Sequence, residues 1–358
     1  MKKLLLLALI AINHLSFGQA DSLKGNLKFS GYAEVYYCYD LNRPENHELP
    51  SFLYNFKRHN EVNLNLGYAN ASYSSQRVRG NFGLMAGTYP QYNLSAEQDL
   101  LRHVWQANIG LKLSKTKNLW LDAGILPSHI GFESAIGKDC AALTRSIIAE
   151  NTPYYESGIK LGYASQNSKW YLAALVLNGW QRIARAEGNN TPAFGTQITY
   201  TPGAKVSLNY STFIGNEKPD SLKQMRFYQN FYGIFHPTDR FGITAGFDFG
   251  IEQKSSESND YNNLFSPVLI LRYQLTEKIA IAGRGELYAD KNGIIIYTGT
   301  ENGFQTSGFS ANLDYALLRN VLWRIELRTF HSKDDIFYKD EVSKNTFTLA
   351  ATSLSIAF

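Results

Sequence analysis

The stretch FGITAGFDFGI, Phe241 to Ile251, places an apolar residue at every second position: Phe241, Ile243, Ala245, Phe247, Phe249 and Ile251. Between them stand Gly242, Thr244, Gly246, Asp248 and Gly250. Successive side chains of a β-strand point to opposite faces, so this stretch reads as a strand with one apolar and one polar face. The pattern recurs along the chain. Trp323, Ile325 and Leu327 alternate with Arg324, Glu326 and Arg328. Trp105, Ala107, Ile109, Leu111 and Leu113 alternate with Gln106, Asn108, Gly110 and Lys112, and Val62, Leu64, Leu66 and Tyr68 with Asn63, Asn65 and Gly67.

Extended outward, the alternation predicts strands at 26–39, 60–72, 76–88, 104–113, 118–126, 156–164, 168–178, 193–201, 204–214, 226–235, 241–251, 266–275, 278–289, 306–315, 320–330 and 346–358. That is about sixteen, with fourteen to eighteen as the range; 226–235 is the weakest, because its two faces do not separate. Most of these strands are long enough to cross a bilayer at a tilt. The connections alternate long and short: 40–59 then 73–75, 89–103 then 114–117, 127–155 then 165–167, 179–192 then Pro202-Gly203. An all-β, up-and-down antiparallel transmembrane barrel with long loops on one side and tight turns on the other gives this rhythm, and a soluble sandwich has no reason to keep it. Both termini then lie on the side of the short turns, the periplasmic side.

The N-terminus fits export. Lys2 and Lys3 precede an apolar run, Leu4 to Ile12, and Ser16 and Gly18 are small residues before Gln19. These are the marks of a signal peptide over 1–18, leaving 19–358 as a single barrel domain. No later segment has the roughly 20 apolar residues that a spanning helix needs.

Composition narrows the function. The chain has 358 residues, with 23 Tyr, 21 Phe and 28 Gly against 3 Met, a β-leaning mixture. A mean hydropathy of −0.27 is compatible with a barrel, which shows lipid only alternate side chains. Net charge is +4, or +2 once Lys2 and Lys3 are removed, too balanced for a nucleic-acid partner. Two cysteines make neither a disulfide scaffold nor a structural zinc site. No cofactor or metal motif is present, and the expected partners are outer-membrane lipid and small solutes. The seven His show no metal-ligand spacing; His129 near Glu133, and His331 near Asp334 and Asp335, are the nearest approaches to a catalytic arrangement.

With the apolar faces on lipid, parity turns Arg77, Arg79, Asp122, Lys160, Asp248, Arg284, Glu286, Asp314, Arg324, Glu326 and Arg328 inward as pore-lining candidates. A barrel of about sixteen strands is too wide for side chains alone to fill, so these charges read either as a field that tunes selectivity or as a salt-bridge network on the inner wall. On the first reading, Arg324→Ala with Arg328→Ala moves selectivity away from anions. The chain ends in an alternating strand, Leu354, Ile356 and Phe358 against Ser353, Ser355 and Ala357. This is similar to the terminal signal of outer-membrane barrels, whose final aromatic residue is read by the barrel-assembly machinery.

Several segments together carry a family resemblance. They are Ser30-Gly31-Tyr32, Ala123-Gly124-Ile125-Leu126-Pro127 running into Gly131-Phe132-Glu133, Leu177-Asn178-Gly179-Trp180-Gln181, Arg284-Gly285-Glu286 followed by Asp290, and Arg324 to Arg328. Over nearly the whole chain beyond the signal peptide the sequence resembles the OmpL-like β-barrel porins of Gram-negative bacteria. The resemblance implies an outer-membrane porin, a passive diffusion channel for small hydrophilic solutes, with monomer and homotrimer both open. The other readings are a binding or adhesion barrel acting through its surface loops, and a barrel hydrolase. It also implies that the third long loop, 127–155, folds into the lumen and narrows it, which makes His129, Glu133, Lys138, Asp139 and Arg145 constriction candidates. Cys38 has inward parity and Cys140 lies mid-loop, so such a fold would make them a candidate disulfide.

Overall fold

The computed structural model describes residues 25–339 and 342–358; the expected signal peptide lies outside the described residues. Sixteen antiparallel strands close into one barrel. In chain order they are β1 (Asn26–Asp40), β2 (Val62–Ser74), β3 (Val78–Ala86), β4 (Val104–Lys112), β5 (Asn118–Pro127), β6 (Tyr155–Ala164), β7 (Trp170–Leu177) and β8 (Ala193–Gly203). The second half is β9 (Val206–Asn216), β10 (Met225–Phe235), β11 (Phe241–Gln253), β12 (Tyr261–Gln274), β13 (Ile279–Asp290), β14 (Phe304–Leu318), β15 (Val321–Ser332) and β16 (Thr346–Ala357). Each strand pairs with its sequence neighbour, and β1 closes on β16 through Tyr32 opposite Ala357 and Cys38 opposite Ala351. Beyond the last strand, Phe358 exchanges backbone hydrogen bonds with Gly31 at 2.7 and 3.0 Å.

The two faces of the wall separate by charge. Along all sixteen described strands, no outward position carries Asp, Glu, Lys or Arg. A charge facing lipid near the midplane costs about 2–4 kcal/mol, and the strands avoid it throughout. Outward aromatic residues collect at the short-turn end, among them Tyr73, Tyr163, Trp170, Tyr200, Tyr273 and Trp323. Trp170 and Tyr200 pack with ring centroids 4.2 Å apart. Such a ring of aromatics marks a membrane interface. No helix among the described residues is long and apolar enough to cross a membrane; this chain crosses with strands.

Several expectations from alternation need correction. Leu66 and Tyr68, and likewise Trp105, face the lumen and not lipid. A bulge between Glu34 and Val35 inserts Asn65 as an extra residue in β2, and another between Gly83 and Leu84 does the same at Trp105 in β4. One extra residue flips the parity of everything beyond it. Strand 226–235 is present and paired on both edges; its faces blurred because its inward side carries Tyr228, Tyr232 and Ile234 beside Arg226 and Asn230. β12 begins at Tyr261, five residues before the expected start, so the loop before it is short. Within the expected loop 331–345 stands a small hairpin, Phe337–Lys339 with Val342–Lys344.

Candidate constriction and solute path

The segment between β5 and β6, here loop 3, enters the barrel and crosses it. Gly124, at φ +123°, prepares the entry: a Cβ there would lie 2.2 Å from the Ala107 carbonyl oxygen, so only glycine lets β5 sit this close to β4. His129 then anchors the first limb. Its Nδ1 lies 2.9 Å from Glu156 and its Nε2 2.8 Å from the Thr212 carbonyl. Burial alone would lower the pKa of this imidazole, and the Glu156 carboxylate more than offsets that, so it stands above its ordinary value. The loop continues past Asn230, whose Oδ1 accepts from Gly131 N at 3.1 Å, to the far wall.

The wall charges of β13, β14 and β15 receive the loop. Arg324 donates to the carbonyls of Gly137 (2.7 Å) and Cys140 (3.1 Å), Arg284 to Thr144 O (2.7 Å), and Arg328 to Arg145 O (2.7 Å). The acids take the loop's N–H groups: Glu326 from Thr144 (2.6 Å) and Glu286 from Ile147 (2.6 Å), while Asn312 accepts from Leu143 (2.9 Å). The same side chains pair among themselves, Arg284 with Glu326 (2.8 Å), Arg328 with Glu286 (2.6 Å) and Arg324 with Asp314 (2.6 Å). All six are buried. Every buried backbone group needs a partner, and a loop with no sheet of its own finds its partners in charged side chains projecting from the wall. Within the loop, Arg145 donates to the carbonyls of Ser134, Leu143 and Ala135, at 2.6, 2.5 and 2.9 Å, and so staples its two limbs together.

Above this dock apolar side chains from the loops and the wall cluster inside the lumen. Loop 1 contributes Phe52 and Phe56, loop 3 contributes Leu143 and Ile147, and the loop after β13 contributes Ile294 and Ile296. They pack on inward wall residues such as Phe213, Phe304, Phe330 and Leu349. Phe52 meets Phe304 edge-on at 4.8 Å. Asp290 accepts from the N–H groups of Ile294, Ile295 and Ile296 at 2.8–3.0 Å and curls that loop inward. Glu150 of loop 3 accepts from Tyr54 N (2.9 Å) and Asn55 N (3.1 Å) of loop 1, which ties the two loops together.

The other candidates separate into covered and water-facing groups. Asp248 is buried and accepts from Tyr228 and Asn230. Arg77 corrects the pore-lining expectation: it sits exposed in the tight turn before β3, because that strand begins only at Val78. Arg79 binds Asp122 through two bonds of 2.7 and 2.6 Å and lies 4.3 Å over the Trp120 ring. Lys160 stands opposite Asp122 in register and is half-buried. Lys138 and Asp139 are exposed on the loop tip and pair with each other at 2.7 Å. The Glu133 side chain is buried and accepts from Ser146 N at 2.8 Å. Arg272, which the alternation did not single out, lies inward on β12 and reaches Asp314 at 2.5 Å.

The expected disulfide is absent: Cys38 and Cys140 are free, buried thiols. Loop 3 does approach the β1 wall, with Gly137 against Glu34, yet the thiols are turned apart. Cys140 donates to Ser134 O of its own loop at 3.2 Å, and Cys38 packs in the apolar core with Leu143 and Leu349. The catalytic arrangements do not assemble either. Both His129 nitrogens are occupied by Glu156 and a carbonyl, while His331 is on an outward position of β15 and Asp334 accepts from Asn302.

A family model described as "Putative beta-barrel porin-2, OmpL-like" matches residues 26–358. Among solved structures, the anion-selective porin from Comamonas acidovorans is similar at a TM-score of 0.62 and 9% identity, covering 94% of this chain and 100% of that one. The outer membrane channel DcaP of Acinetobacter baumannii gives 0.62 and 9%, covering 95% and 99%. Salmonella typhi OmpF, in complex with daunomycin, gives 0.60 and 12%, covering 93% and 97%. At these identities the likeness is one of fold. No curated protein matches the sequence.

Proposed function

The chain belongs to the OmpL-like β-barrel porin family, and from that premise we propose that it is a narrow outer-membrane channel for small hydrophilic solutes, with a preference for anions. The observation that carries the preference is the orientation of the ion pairs on the open part of the wall. In the Arg79–Asp122 pair the base is 40% exposed and the acid 5%; in Arg272–Asp314 the values are 33% and 3%. Each pair presents its positive end to water, and Lys160, opposite Asp122 and half-buried, adds a third base. Exposed positive charge between low-dielectric walls concentrates anions. The Comamonas acidovorans porin, of the same fold, is described as anion-selective. The narrowness follows from loop 3 and the apolar core, which leave a cavity of about 470 Å³ beneath the first limb.

On this reading residues 1–18 direct export, residues 19–358 form the barrel among outer-membrane lipids with the help of the assembly machinery, and the buried arginines play no part in selectivity. Arg79→Gln with Arg272→Gln should therefore move the zero-current potential in a KCl gradient toward that of a cation-preferring pore. Arg324→Ala with Arg328→Ala should leave the potential unchanged, as the salt-bridge alternative has it and the selectivity-field alternative does not, because those side chains are covered by loop 3 and do not meet the permeating ion. An unchanged potential in the Arg79/Arg272 variant would sink the anion preference, and a membrane with no open level for the unmodified protein would sink the channel.

A further inference from the structure

We propose that the cavity beneath loop 3 is a docking site for a neutral pyranose ring, a reading that rests on the channel function above and adds an uncharged solute class beside its preference among ions. The two bulges are the starting point. Without them Tyr68 and Trp105 would point to lipid, where aromatic rings are at home; each bulge separately turns one ring inward. Bulges re-aim side chains at functional sites, and two of them aim at one cavity. The rings stack parallel, centroids 4.8 Å apart and planes within 2°, and Tyr32 continues the row at 6.0 Å from Tyr68. Tyr68 and Trp105 stay partly exposed, an unfavourable use of aromatic surface in a polar lumen unless a solute covers it.

Polar groups flank the shelf. Gln106 donates to Asn70 Oδ1 at 2.9 Å, and Asn70 donates to Ser72 at 2.8 Å. That leaves the Gln106 carbonyl and one N–H of each amide for a solute. Glu133 lines the same cavity with a buried side chain, and its Oε1, which has no hydrogen-bond partner, lies 4.0 Å from Arg284 Nη1. Gly83 keeps the floor open: a Cβ there would meet Asn70 Oδ1 at 2.6 Å and Trp105 at 3.1 Å. A pyranose offers both halves of this pattern, a C–H face for the rings and hydroxyls at its edge for amide and carboxylate. An aromatic acid would stack and accept from the amide N–H groups but would meet Glu133 as a like charge. An acyclic polyol would satisfy the amides and leave the rings bare. The volume of about 470 Å³ lies within the range of small-ligand sites.

Equilibrium dialysis of the purified full-length protein against radiolabelled maltose tests the site without requiring conduction. Saturable binding is expected, with benzoate and sorbitol competing poorly. Trp105→Ala should weaken binding by about tenfold, and Trp105→Phe, which keeps a ring, by less. Gln106→Leu should weaken it as well, and decides the matter if Trp105→Ala does not assemble. In bilayers, maltose should reduce the current through the unmodified protein. Absent saturable binding, equal binding by Trp105→Ala, or sorbitol bound as well as maltose would each overturn the sugar site. A protein that binds maltose but never conducts would overturn the channel reading and leave the site standing.

Discussion

Replacing Arg324 and Arg328 together with alanine should raise single-channel conductance severalfold and lower stability, while the zero-current potential stays where it was. The two guanidinium groups hold three loop carbonyls, those of Gly137, Cys140 and Arg145, and both are fully buried. Removing one member of a buried pair costs about 3–5 kcal/mol, because the partner charge is left uncompensated. The cost here should fall toward the lower end, since Asp314 keeps Arg272 and Glu286 keeps Arg284 at 3.2 Å. A loop that loses these anchors keeps Arg284 on Thr144, Arg272 on Ala141, and Glu326, Glu286 and Asn312 on the far wall, and with that weaker hold it should swing out of the lumen for part of the time. Conductance traces and thermal unfolding of the same preparation measure the two effects. A shifted potential at unchanged conductance would mean that the arginines face the ions after all.

Phe358→Asp should reduce the assembled protein to a minor fraction while export continues. The ring of Phe358 lies over Gly31, where a side chain would collide with it, and the backbone of the same residue completes the seam between β1 and β16. The ring itself is 76% exposed on the lipid side, so a charge there at the membrane edge costs only about 0–1 kcal/mol in the finished barrel. The loss should therefore fall on assembly and not on the stability of what has assembled. Comparing heat-modifiable barrel in membranes with total exported chain separates the two. Normal assembly of the variant would show that the terminal aromatic is incidental.

The barrel was legible because its signal is simple. Phe241 to Ile251 and Trp323 to Arg328 alternate without interruption, since lipid on one side and a polar lumen on the other impose period two. Legibility failed where a second constraint overrode that one. Alternation places Tyr68 and Trp105 on the lipid face because a bulge leaves no mark in the residue types. Alternation does not mark Arg272 because β12 is apolar on both faces: Leu269 and Leu271 meet lipid, whereas Val268 and Ile270 pack beneath loop 3. The cysteine pairing failed on a finer scale. Loop 3 does reach the β1 wall, yet the direction of each thiol depends on local packing that spacing does not encode. Parity marks the charged wall apart from Arg77, but not its role, because the same parity serves a field in water and a dock for a loop.

The crossing of the lumen by loop 3 underlies each of these expectations, and a disulfide trap tests it most directly. Leu143 N and Asn312 Oδ1 are 2.9 Å apart, on the loop and on the opposite wall. In a chain with Cys38 and Cys140 replaced by alanine, Leu143→Cys with Asn312→Cys should form a bond in native membranes under mild oxidation. The bonded protein should conduct like the unmodified one, because the loop is already in place. Free thiols at both positions after oxidation, or a conductance that collapses when the bond forms, would contradict a lumen spanned by this loop.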